Sequence, residues 1–494
     1  MSDNRENILK GLAEIGFLGA KAEALSIDDL LRSTLPIQNH LHFLEPDILL
    51  ILGGRGAGKS HLFRLINSPE GQEILSAGKR RLADAIWIKG FYTRESDATR
   101  PLYFPGETVL QRFAEGKAPT DLLDFWRGLL LGAILKQVDE PREHLLHSLL
   151  PDSLFRALSD LSHITNWHSE VVTHLEEVES ALNRLDQDLA NEDRFLFATY
   201  DDLDVMAVEW PEKRALIQSL LRFWLSQWRR WRRLRPKIFL RFDLFAPDFL
   251  QFPDASKLEG NKVEIHWKYV QLYQMVFKAW ANRNQDSLIF LKRAGLDMQE
   301  DKRLGWTYSG PPPSEEILRS VVHRMMGQFM GSGRTKGRTF EWLPKHLQDA
   351  NGEIVPRSIL NLLALAAKDE LDHYRAKGDF LLSPLSIRQV IEEVSDHRVR
   401  ELSEEYPWLE IIRPQLEGQE VPMPRQRFTD LLQKIDWQSP PPTDRPISQK
   451  PSDIVDQLLK IGVLRLTSDG RIHVPDIYLY GFKMKRRGGI RRPQ

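Results

Sequence analysis

Residues 47–60 read DILLILGGRGAGKS, an apolar run followed by a glycine-rich segment. Residues 47–52 (DILLIL) form an apolar run that stops at glycine, as a strand buried in a parallel sheet does. Residues 53–60 match the pattern GxxxxGK(S/T) in full. Glycines let backbone N–H groups turn inward and approach phosphate without Cβ clashes, and a helix that begins near Lys59 adds the positive end of its dipole. The stretch therefore predicts a phosphate-binding loop between a strand and a helix.

The positions of this loop carry predicted roles toward ATP and Mg2+. Lys59 is expected to bridge the β- and γ-phosphates, and the Ser60 hydroxyl is expected to ligate the metal. The residues predicted to contact the nucleotide are Gly53, Gly54, Arg55, Gly56, Ala57, Gly58, Lys59, Ser60 and His61. The alternative is a glycine-rich turn that binds nothing, and the strand and helix patterns on either side disfavour it.

An acidic cluster supplies the second element that phosphate chemistry needs. The apolar run FLFATY, residues 195–200, leads directly into Asp201, Asp202 and Asp204. Carboxylates at the end of a neighbouring strand can hold magnesium and the attacking water. Asp201 is predicted to hold Mg2+, through water, and Asp202 to orient and polarise the attacking water, while Asp204 supports a neighbouring helix or the nucleotide site. The alternative is an acidic turn at a strand end.

Two arginines are candidate sensors of the γ-phosphate. Arg241 ends the strand-like run KIFLR and is expected to face the γ-phosphate, with a surface ion pair to Asp243 as the alternative. Arg357 begins a predicted helix after Pro356 and is expected to close on the nucleotide from a helical lid. The alternative for Arg357 is a solvated arginine at a helix start.

The chain of 494 residues is too long for one hydrophobic core, so two to four domains are expected. Strand-like runs that alternate with helical patterns predict an α/β fold with a parallel sheet as the P-loop core. A proline-rich stretch, an amphipathic helix and a hairpin pattern near the C-terminus predict a winged helix after a linker. The predicted boundaries are an N-terminal helical segment at 1–46, a P-loop ATPase core at 47–270 with a helical insertion at about 100–192, a helical lid domain at 271–403, a linker at 404–451, and a winged helix with a basic tail at 452–494.

Composition narrows the class of protein. The sequence has 68 basic and 69 acidic residues, so any affinity for nucleic acid must come from local patches. There are no cysteines, which excludes disulfides, thiolate metal sites and cysteine nucleophiles. This composition suits a reducing cytosol, and a cytoplasmic location is predicted. No apolar run reaches the length of a membrane span, so no membrane partner is expected.

Residues 220–236, LLRFWLSQWRRWRRLRP, combine tryptophans and arginines. Trp224, Trp228 and Trp231 have the spacing of one helical face, and arginines fill the remaining faces. One interpretation is a basic surface for nucleic acid or an acidic partner. The other is a helix that packs its tryptophans on the sheet, and the position of the segment between two strands favours this one.

Two further segments are basic and rich in glycine. The tail at 483–492 could track a phosphate backbone beside the predicted winged helix, or could be a solubilising tail. Residues 331–338 (GSGRTKGR) form another loop that could touch phosphate. This loop is not a second GxxxxGK(S/T) motif, because no strand precedes it.

GGRGAGKS, FLFATYDDLD and KIFLR, in this order, resemble the additional-strand P-loop ATPases, and within them AAA+ and STAND proteins. DDLD resembles the Walker B motif of STAND and KAP ATPases. The positions of Arg241 and Arg357 resemble the first and second sensors of that group. Two features depart from the family pattern. A typical AAA+ Walker B motif has Asp-Glu where this chain has Asp201-Asp202, and no arginine finger acting in trans can be placed.

The resemblance implies a magnesium-dependent ATPase that forms homo-oligomers. The first hypothesis is a nucleotide-driven regulator of a separate effector protein, with a role in prokaryotic antiviral defence suggested by the family. The second is a DNA-binding ATPase, acting as loader, translocase or remodeller through the winged helix and basic segments. The third is a nucleotide-binding scaffold with little turnover.

Overall fold

The structure is a computed structural model that describes residues 2–20, 25–76, 82, 84–93, 103–207, 209–245 and 255–487. The chain forms two compact units. The sheet unit comprises Pro36–Gly54 and Gly58–Ile265. The helical unit comprises Met1–Leu35, Arg55–Ala57 and His266–Gln494.

The described strands are β1 Leu50–Leu52, β2 Ile86–Phe91, β3 Leu196–Tyr200, β4 Leu234–Leu240, β5 Lys262–Glu264, β6 Met298–Asp301, β7 Gly305–Tyr308, β8 Glu420–Val421, β9 Arg465–Leu466, β10 Ile472–His473 and β11 Lys485–Arg486. The described helices of the first half are α1 Ser2–Glu14, α2 Gly16–Ala20, α3 Ile27–Ser33, α4 Gln38–Leu41, α5 Lys59–Ile66, α6 Pro69–Leu75, α7 Glu107–Ala114, α8 Pro119–Gln137, α9 Glu140–Leu149, α10 Asp152–Ala157, α11 Ile164–Thr173, α12 Leu175–Asn191 and α13 Trp210–Gln227. Those of the second half are α14 Tyr269–Ala281, α15 Gln285–Arg293, α16 Glu315–Met326, α17 Thr339–Leu347, α18 Pro356–His373, α19 Pro384–Ser403, α20 Trp408–Leu416, α21 Arg425–Leu432, α22 Pro451–Lys460 and α23 Asp476–Leu479. No helix within the described ranges combines the length and the apolar character that a membrane span requires.

The sheet unit is built on five parallel strands in the order β2-β3-β4-β1-β5. The runs DILLIL, FLFATY and KIFLR, which predict strands, correspond to β1, β3 and β4 of this sheet, and the parallel sheet confirms the α/β fold class. The predicted bounds are less accurate at β4, which begins at Leu234, three residues before the run KIFLR. Apolar side chains fill both faces, and every residue of β3 is buried, as expected for a parallel sheet covered on both sides.

Helices α8 and α13 pack together beside the sheet. The indole N–H of Trp126 on α8 donates to the Leu216 carbonyl and the Ser219 hydroxyl, each at 3.0 Å. The side chain of Gln137, at the end of α8, accepts from the Lys89 amide and donates to the Lys89 carbonyl, both at 2.9 Å. Because β2 is the edge of the sheet, this pairing satisfies backbone groups that an exposed edge would leave open.

The stretch at 220–236 is not one helix, so the predicted helical face of three tryptophans is wrong. Helix α13 ends at Gln227, and β4 begins at Leu234. Trp231 lies in the turn between them, and its ring is buried against that of Trp224 at a centroid distance of 5.8 Å. The alternative interpretation, in which the tryptophans pack on the sheet unit, describes Trp224 and Trp231.

A buried carboxylate on α12 holds this turn. Asp186 accepts hydrogen bonds from the backbone N–H groups of Arg232, Arg233 and Leu234 at 2.7–3.0 Å. These N–H groups lie just before and at the start of β4, where they have no hydrogen-bond acceptor on β3. The spacing of the tryptophans favours a continued helix here, but the Asp186 carboxylate, which is distant in sequence, favours the turn.

The helical unit packs α18 against α1, α2 and α19. Glu370, fully buried in the last turn of α18, accepts from the Ser383 amide and the Ser386 hydroxyl, each at 2.7 Å, and from the Ala376 amide at 2.9 Å. The connection between α18 and α19 is therefore fixed by one carboxylate. An antiparallel hairpin, β6–β7, also lies in this unit, where the sequence predicts mostly helix.

The C-terminal part of the helical unit contains the predicted helix, α22, and hairpin, β9–β10. The segment 404–451, predicted as a linker, also contains α20 and α21, and each buries apolar side chains such as Trp408 and Phe428. Much of this segment is therefore packed structure. Of the predicted tail, Lys485–Arg486 form β11, which pairs in parallel with β8, and the residues after 487 lie outside the described ranges.

Replacing Asp186 with alanine should lower the free energy of unfolding of the protein by about 2–4 kcal/mol, because buried N–H groups of the turn lose a charged acceptor. Chemical denaturation followed by circular dichroism measures this change. Asp188→Ala, on the same helix, is the control and should stay within about 0.5 kcal/mol of wild type. Equal stability of the two variants would contradict the anchoring role of Asp186.

Candidate nucleotide-binding site

The glycine-rich loop leaves the sheet at the carboxyl end of β1. The Gly53 amide donates to the Leu240 carbonyl at 3.2 Å, which continues the ladder between β1 and β4 by one residue. Helix α5 then begins at Lys59. The Lys59 ammonium folds back and donates to the carbonyls of Gly53 at 2.9 Å and Gly54 at 3.1 Å. The loop thus forms a closed turn with its lysine across it.

Two glycines of the loop have backbone angles that favour glycine. Gly56 has φ of 79° and Gly58 has φ of 104°, both in the left-handed region. Among the described residues, no heavy atom lies within 4 Å of where a Cβ would stand on Gly54 or Gly58. The loop therefore has open space beside its backbone, as a phosphate cradle requires.

The hydroxyl of Ser60 meets the acidic cluster at the end of β3. The Asp201 amide donates to the Phe91 carbonyl at 3.2 Å, so Asp201 sits where β2 and β3 end. Asp201 is 3% exposed, and the nearby Ser60 hydroxyl acts to lower the pKa of its carboxylate. The predicted magnesium ligands, Ser60 and Asp201, are therefore brought together.

Burial governs the charge of this cluster. Desolvation first, and then the neighbouring Asp202 carboxylate, raises the pKa of Asp201 to about 7, while Ser60 and Lys59 act in the opposite direction. Asp201 Oδ2 is buried and accepts no hydrogen bond from the described residues. Carboxylate and hydroxyl oxygens are the ligands that Mg2+ prefers, and a cation here would stabilise the charged form. The donor set fits magnesium held with part of its water shell.

Asp202 is held in an unusual conformation beside Asp201. Its φ of 58° and ψ of 26° lie in the left-handed region, which aspartate adopts at local cost. Thr93, just after β2, donates its hydroxyl to Asp202 Oδ2 at 2.6 Å. A short 3₁₀ turn, Leu203–Val205, follows at once. Sequence reasoning missed Thr93, because no pattern links residue 93 to residue 202.

Arg241 directly follows β4 and is 7% exposed. Its guanidinium binds the Asp243 carboxylate with two hydrogen bonds, of 3.0 and 2.7 Å, and lies 3.5 Å from Asp204 Oδ2. The structure thus contains the ion pair with Asp243, which is the alternative interpretation of this residue. Lys213 on α13 joins this charge cluster, and burial lowers its pKa while Asp204 opposes the shift. A role for Arg241 toward the γ-phosphate stays a prediction.

Three loop residues, Arg55–Ala57, belong to the helical unit. The indole N–H of Trp267 donates to the Ala57 carbonyl at 2.8 Å. The guanidinium of Arg398 on α19 donates to the Arg55 carbonyl at 3.2 Å, and the Arg55 side chain pairs with Glu404. Hydrogen-bond donors thus hold two backbone carbonyls of the loop, and nothing in the local sequence pattern reveals either donor.

Arg357 lies in the first turn of α18, as predicted. Its Cβ is 3.4 Å from the position of a Cβ on Gly56, so its side chain starts next to the loop. The guanidinium pairs with Glu401 at 3.2 Å, and Glu401 also pairs with Arg398 at 3.3 Å. Arg357 is therefore engaged within the helical unit, and contact with a nucleotide stays a prediction. His61 lies in the first turn of α5, half-buried.

No protein-family model and no curated protein matches the sequence. Among solved structures, a Walker-type ATPase of Pyrococcus abyssi is similar over 91% of this chain and 96% of its own, with 13% identity and a TM-score of 0.39. The ORC2 protein of Aeropyrum pernix, solved as ADPNP-ADP complexes, is similar over 88% of this chain and 87% of its own, with 13% identity and a TM-score of 0.37. Cdc6p of Pyrobaculum aerophilum is similar over 88% and 86%, with 13% identity and a TM-score of 0.29.

Likenesses this distant carry no functional inference. The assignment of the sheet unit as a parallel α/β fold with a phosphate loop rests on its own strand order and on the position of Gly53–Ser60 between β1 and α5. The geometry gathers a lysine, a hydroxyl and two buried carboxylates at one end of the sheet, and these groups can hold a triphosphate, a hard cation and a water molecule.

Trp267→Phe should weaken ATP binding about fivefold, because the Ala57 carbonyl loses a hydrogen bond worth about 1 kcal/mol that helps to fix the loop. Titration of a fluorescent ATP analogue into the protein measures the affinity. Trp306→Phe, elsewhere in the helical unit, is the matched control and should bind as wild type does. If Trp267→Phe also binds ATP as wild type does, the Trp267 indole does not stabilise the conformation of the loop that binds ATP.

Proposed function

We propose that the protein binds ATP with Mg2+ through Gly53–Ser60 and hydrolyses it with Asp201 and Asp202. The observation that supports this most directly is that Ser60 lies near a buried Asp201 whose Oδ2 has no hydrogen-bond partner among the described residues. A buried unpaired carboxylate oxygen is costly, and a metal-bound water is a partner that would satisfy it.

In this proposal Lys59 contacts the phosphates, and Ser60 and Asp201 hold the metal. The Lys59 ammonium donates to two backbone carbonyls in the structure. With ATP bound, it would donate to the β- and γ-phosphates instead. Ser60 would ligate the metal directly, and Asp201 would hold it through water. When bound, Mg2+ neutralises charge that builds up on the transferred phosphoryl group.

Asp202 has the task of orienting the attacking water and accepting its proton. The Thr93 hydroxyl occupies Oδ2, and this bond fixes the carboxylate plane. Since Asp202 is 8% exposed, few solvent molecules compete with the one it positions. A typical AAA+ enzyme has a glutamate at this position, and the aspartate here has a shorter side chain. The left-handed backbone of Asp202 changes the direction of its Cα–Cβ bond.

For the biological role we propose a nucleotide-driven switch that forms homo-oligomers and regulates a separate effector protein. Support comes from the AAA+ and STAND proteins that the motifs resemble. A role in antiviral defence follows only from the family that the motifs resemble. This role is ruled out if the protein stays monomeric with ATP in analytical ultracentrifugation and co-purifies with no partner. That result would not affect the proposed ATPase chemistry.

A DNA-binding ATPase is the second candidate. Helix α22 followed by the β9–β10 hairpin has the order of a winged helix, and basic side chains such as Lys485 and Arg487 lie close in sequence to it. In this candidate the effector is a nucleic acid, and ATP turnover changes when nucleic acid is added. A scaffold with little turnover is the third candidate, which full cellular activity of a Lys59→Ala variant would favour.

Lys59→Ala should weaken ATP binding about 10- to 100-fold, because charge-assisted hydrogen bonds to phosphate are lost. Isothermal titration with a non-hydrolysable ATP analogue measures this. Lys136→Ala, a half-buried lysine of the sheet unit, is the control and should bind normally. Unchanged affinity of Lys59→Ala would refute the assignment of the loop as the phosphate site.

Asp202→Asn should bind ATP within about twofold of wild type and hydrolyse it at least about 100-fold more slowly, because the amide cannot accept a proton from water. Asparagine can keep both the left-handed backbone and the bond from Thr93. Asp193→Asn is a matched control, since Asp193 also has a left-handed φ, of 56°, in the same unit. Steady-state phosphate release gives the rates, and full turnover by Asp202→Asn would assign the water-orienting role elsewhere.

A further inference from the structure

Residues 331–338, here called the basic loop, lie in a stretch of the helical unit that carries positive charge only and that the nucleotide site does not use. Residues 317–340 contain five Lys or Arg residues and no Asp or Glu: Arg319, Arg324, Arg334, Lys336 and Arg338. The whole chain is nearly balanced, with 68 basic and 69 acidic residues. The surplus of positive charge is therefore local and belongs to a defined part of the fold, the connection between α16 and α17.

Backbone hydrogen bonds hold the basic loop in one conformation. The Met330 amide donates to the Gly337 carbonyl at 3.0 Å, and the Thr339 amide donates to the Gln328 carbonyl at 3.1 Å, so the loop closes like a small hairpin. Its tip is a 3₁₀ turn, Arg334–Lys336. Gly337 then takes a φ of 87°, which a side chain would strain. An ordered loop loses less conformational entropy on binding than a disordered one does.

The charges of the basic loop are available to a partner. Arg334, Lys336 and Arg338 are exposed, and none of them has an ion pair or a side-chain hydrogen bond within the described ranges. The other two cations of the stretch are engaged. Arg319 pairs with Glu315 and Glu341, and Arg324 donates to the Arg293 carbonyl at 2.7 Å. Three uncompensated cations on five consecutive residues repel one another and gain free energy from an anionic ligand.

Further groups surround these cations. Arg388 on α19 donates to the Met330 carbonyl, and its guanidinium lies 3.6 Å from where a Cβ would stand on Gly331. On the other side, the Trp342 ring comes within 3.5 Å of the Cβ position of Gly337 and is half-buried. That ring stacks on His346 with centroids 3.6 Å apart. The surface thus has a fourth positive group near its base and an aromatic ring at its edge.

The composition of the basic loop matches the groups that contact nucleic-acid phosphates. Such contacts come from Arg and Lys, from Ser and Thr hydroxyls, and from backbone N–H groups, and the loop offers Ser332, Thr335 and three glycines besides its cations. Protein–protein interfaces are instead depleted in Lys and Ser and centred on large apolar anchors, which residues 331–338 lack. We propose that the basic loop, with Arg388 beside it, binds the sugar–phosphate backbone of a nucleic acid without reading its sequence.

This surface goes beyond the ATPase chemistry and does not depend on it. It gives the second candidate function a contact site in the helical unit that is separate in sequence from the predicted winged helix and tail. If Lys59→Ala loses ATP binding and still binds nucleic acid, the nucleic-acid surface is independent of the nucleotide site. A failure of the ATPase proposal then does not affect the proposal for the basic loop, and the reverse also holds.

The test is fluorescence anisotropy of the full-length protein with a labelled 40-base-pair DNA of arbitrary sequence and with single-stranded DNA and RNA of the same length, from 50 to 250 mM NaCl. The triple variant Arg334→Ala/Lys336→Ala/Arg338→Ala should bind at least tenfold more weakly at 100 mM salt. The slope of log affinity against log salt should become shallower by about 2–3, since each cation that neutralises a phosphate contributes about 0.9. ATP turnover in the absence of nucleic acid should stay at the wild-type value.

Two controls keep the test specific. Arg184→Ala/Arg229→Ala/Arg232→Ala removes three exposed arginines from the sheet unit and should leave the affinity and the slope unchanged. The double variant Arg334→Lys/Arg338→Lys keeps the positive charge and should bind nucleic acid as wild type does. If the two arginines instead served only to stabilise the fold, this variant would lose binding. Thermal melts of all variants check that the loop substitutions leave the fold intact.

Three results would overturn the proposal. The first is no measurable affinity for any of the three nucleic acids at 50 mM salt. The second is an equal loss in the sheet-unit variant, which would place binding elsewhere. The third is binding to polyglutamate or to vesicles containing phosphatidylserine that is as tight as binding to DNA and equally sensitive to the triple variant, which would make the loop a general anion site.

Discussion

The proximity of Ser60 and Asp201 is the feature on which the proposed chemistry depends, and it is a consequence of strand order. β1 and β3 are both parallel neighbours of β4, so the loop after β1 and the carboxylates after β3 emerge at the same end of the sheet. A different order would separate the phosphate loop from its acids. The sheet therefore acts as the scaffold that fixes the distance between a hydroxyl and a carboxylate 141 positions apart in sequence.

That placement has an electrostatic cost. Two adjacent carboxylates, Asp201 and Asp202, are buried, and burial together with mutual repulsion raises the pKa of Asp201. The protein offsets part of the cost with Ser60, Lys59 and the Thr93 hydroxyl on Asp202. A divalent cation would offset the rest, because it favours the charged form of both acids. Strain at Asp202, whose backbone is left-handed, fits the same view of a site that is built for a ligand and is less stable without one.

The local features were predictable from sequence, and the long-range ones were not. The strand, glycine loop and helix around Lys59 have short-range causes, namely an apolar run, glycine backbones and a helix start, and all are found where expected. The tryptophans after Gln227 were misassigned, because the turn there depends on Asp186, more than 40 residues earlier. Thr93, Trp267 and Arg398 had no signal at all, since each acts on a residue that only the tertiary fold brings near. For Arg241, the ion pair and the sensor role are indistinguishable in sequence, and the structure contains the ion pair.

The most direct measurement is the magnesium dependence of ATP affinity in wild-type protein and in Asp201→Asn. Titration calorimetry with a non-hydrolysable ATP analogue, with Mg2+ and with EDTA, gives the factor by which the metal tightens binding. We expect Mg2+ to tighten binding at least about tenfold in wild type, which is about 1.4 kcal/mol of coupling, and Asp201→Asn to lose most of this factor. If Asp201→Asn keeps the full factor, Ser60 and Asp201 do not form the metal site.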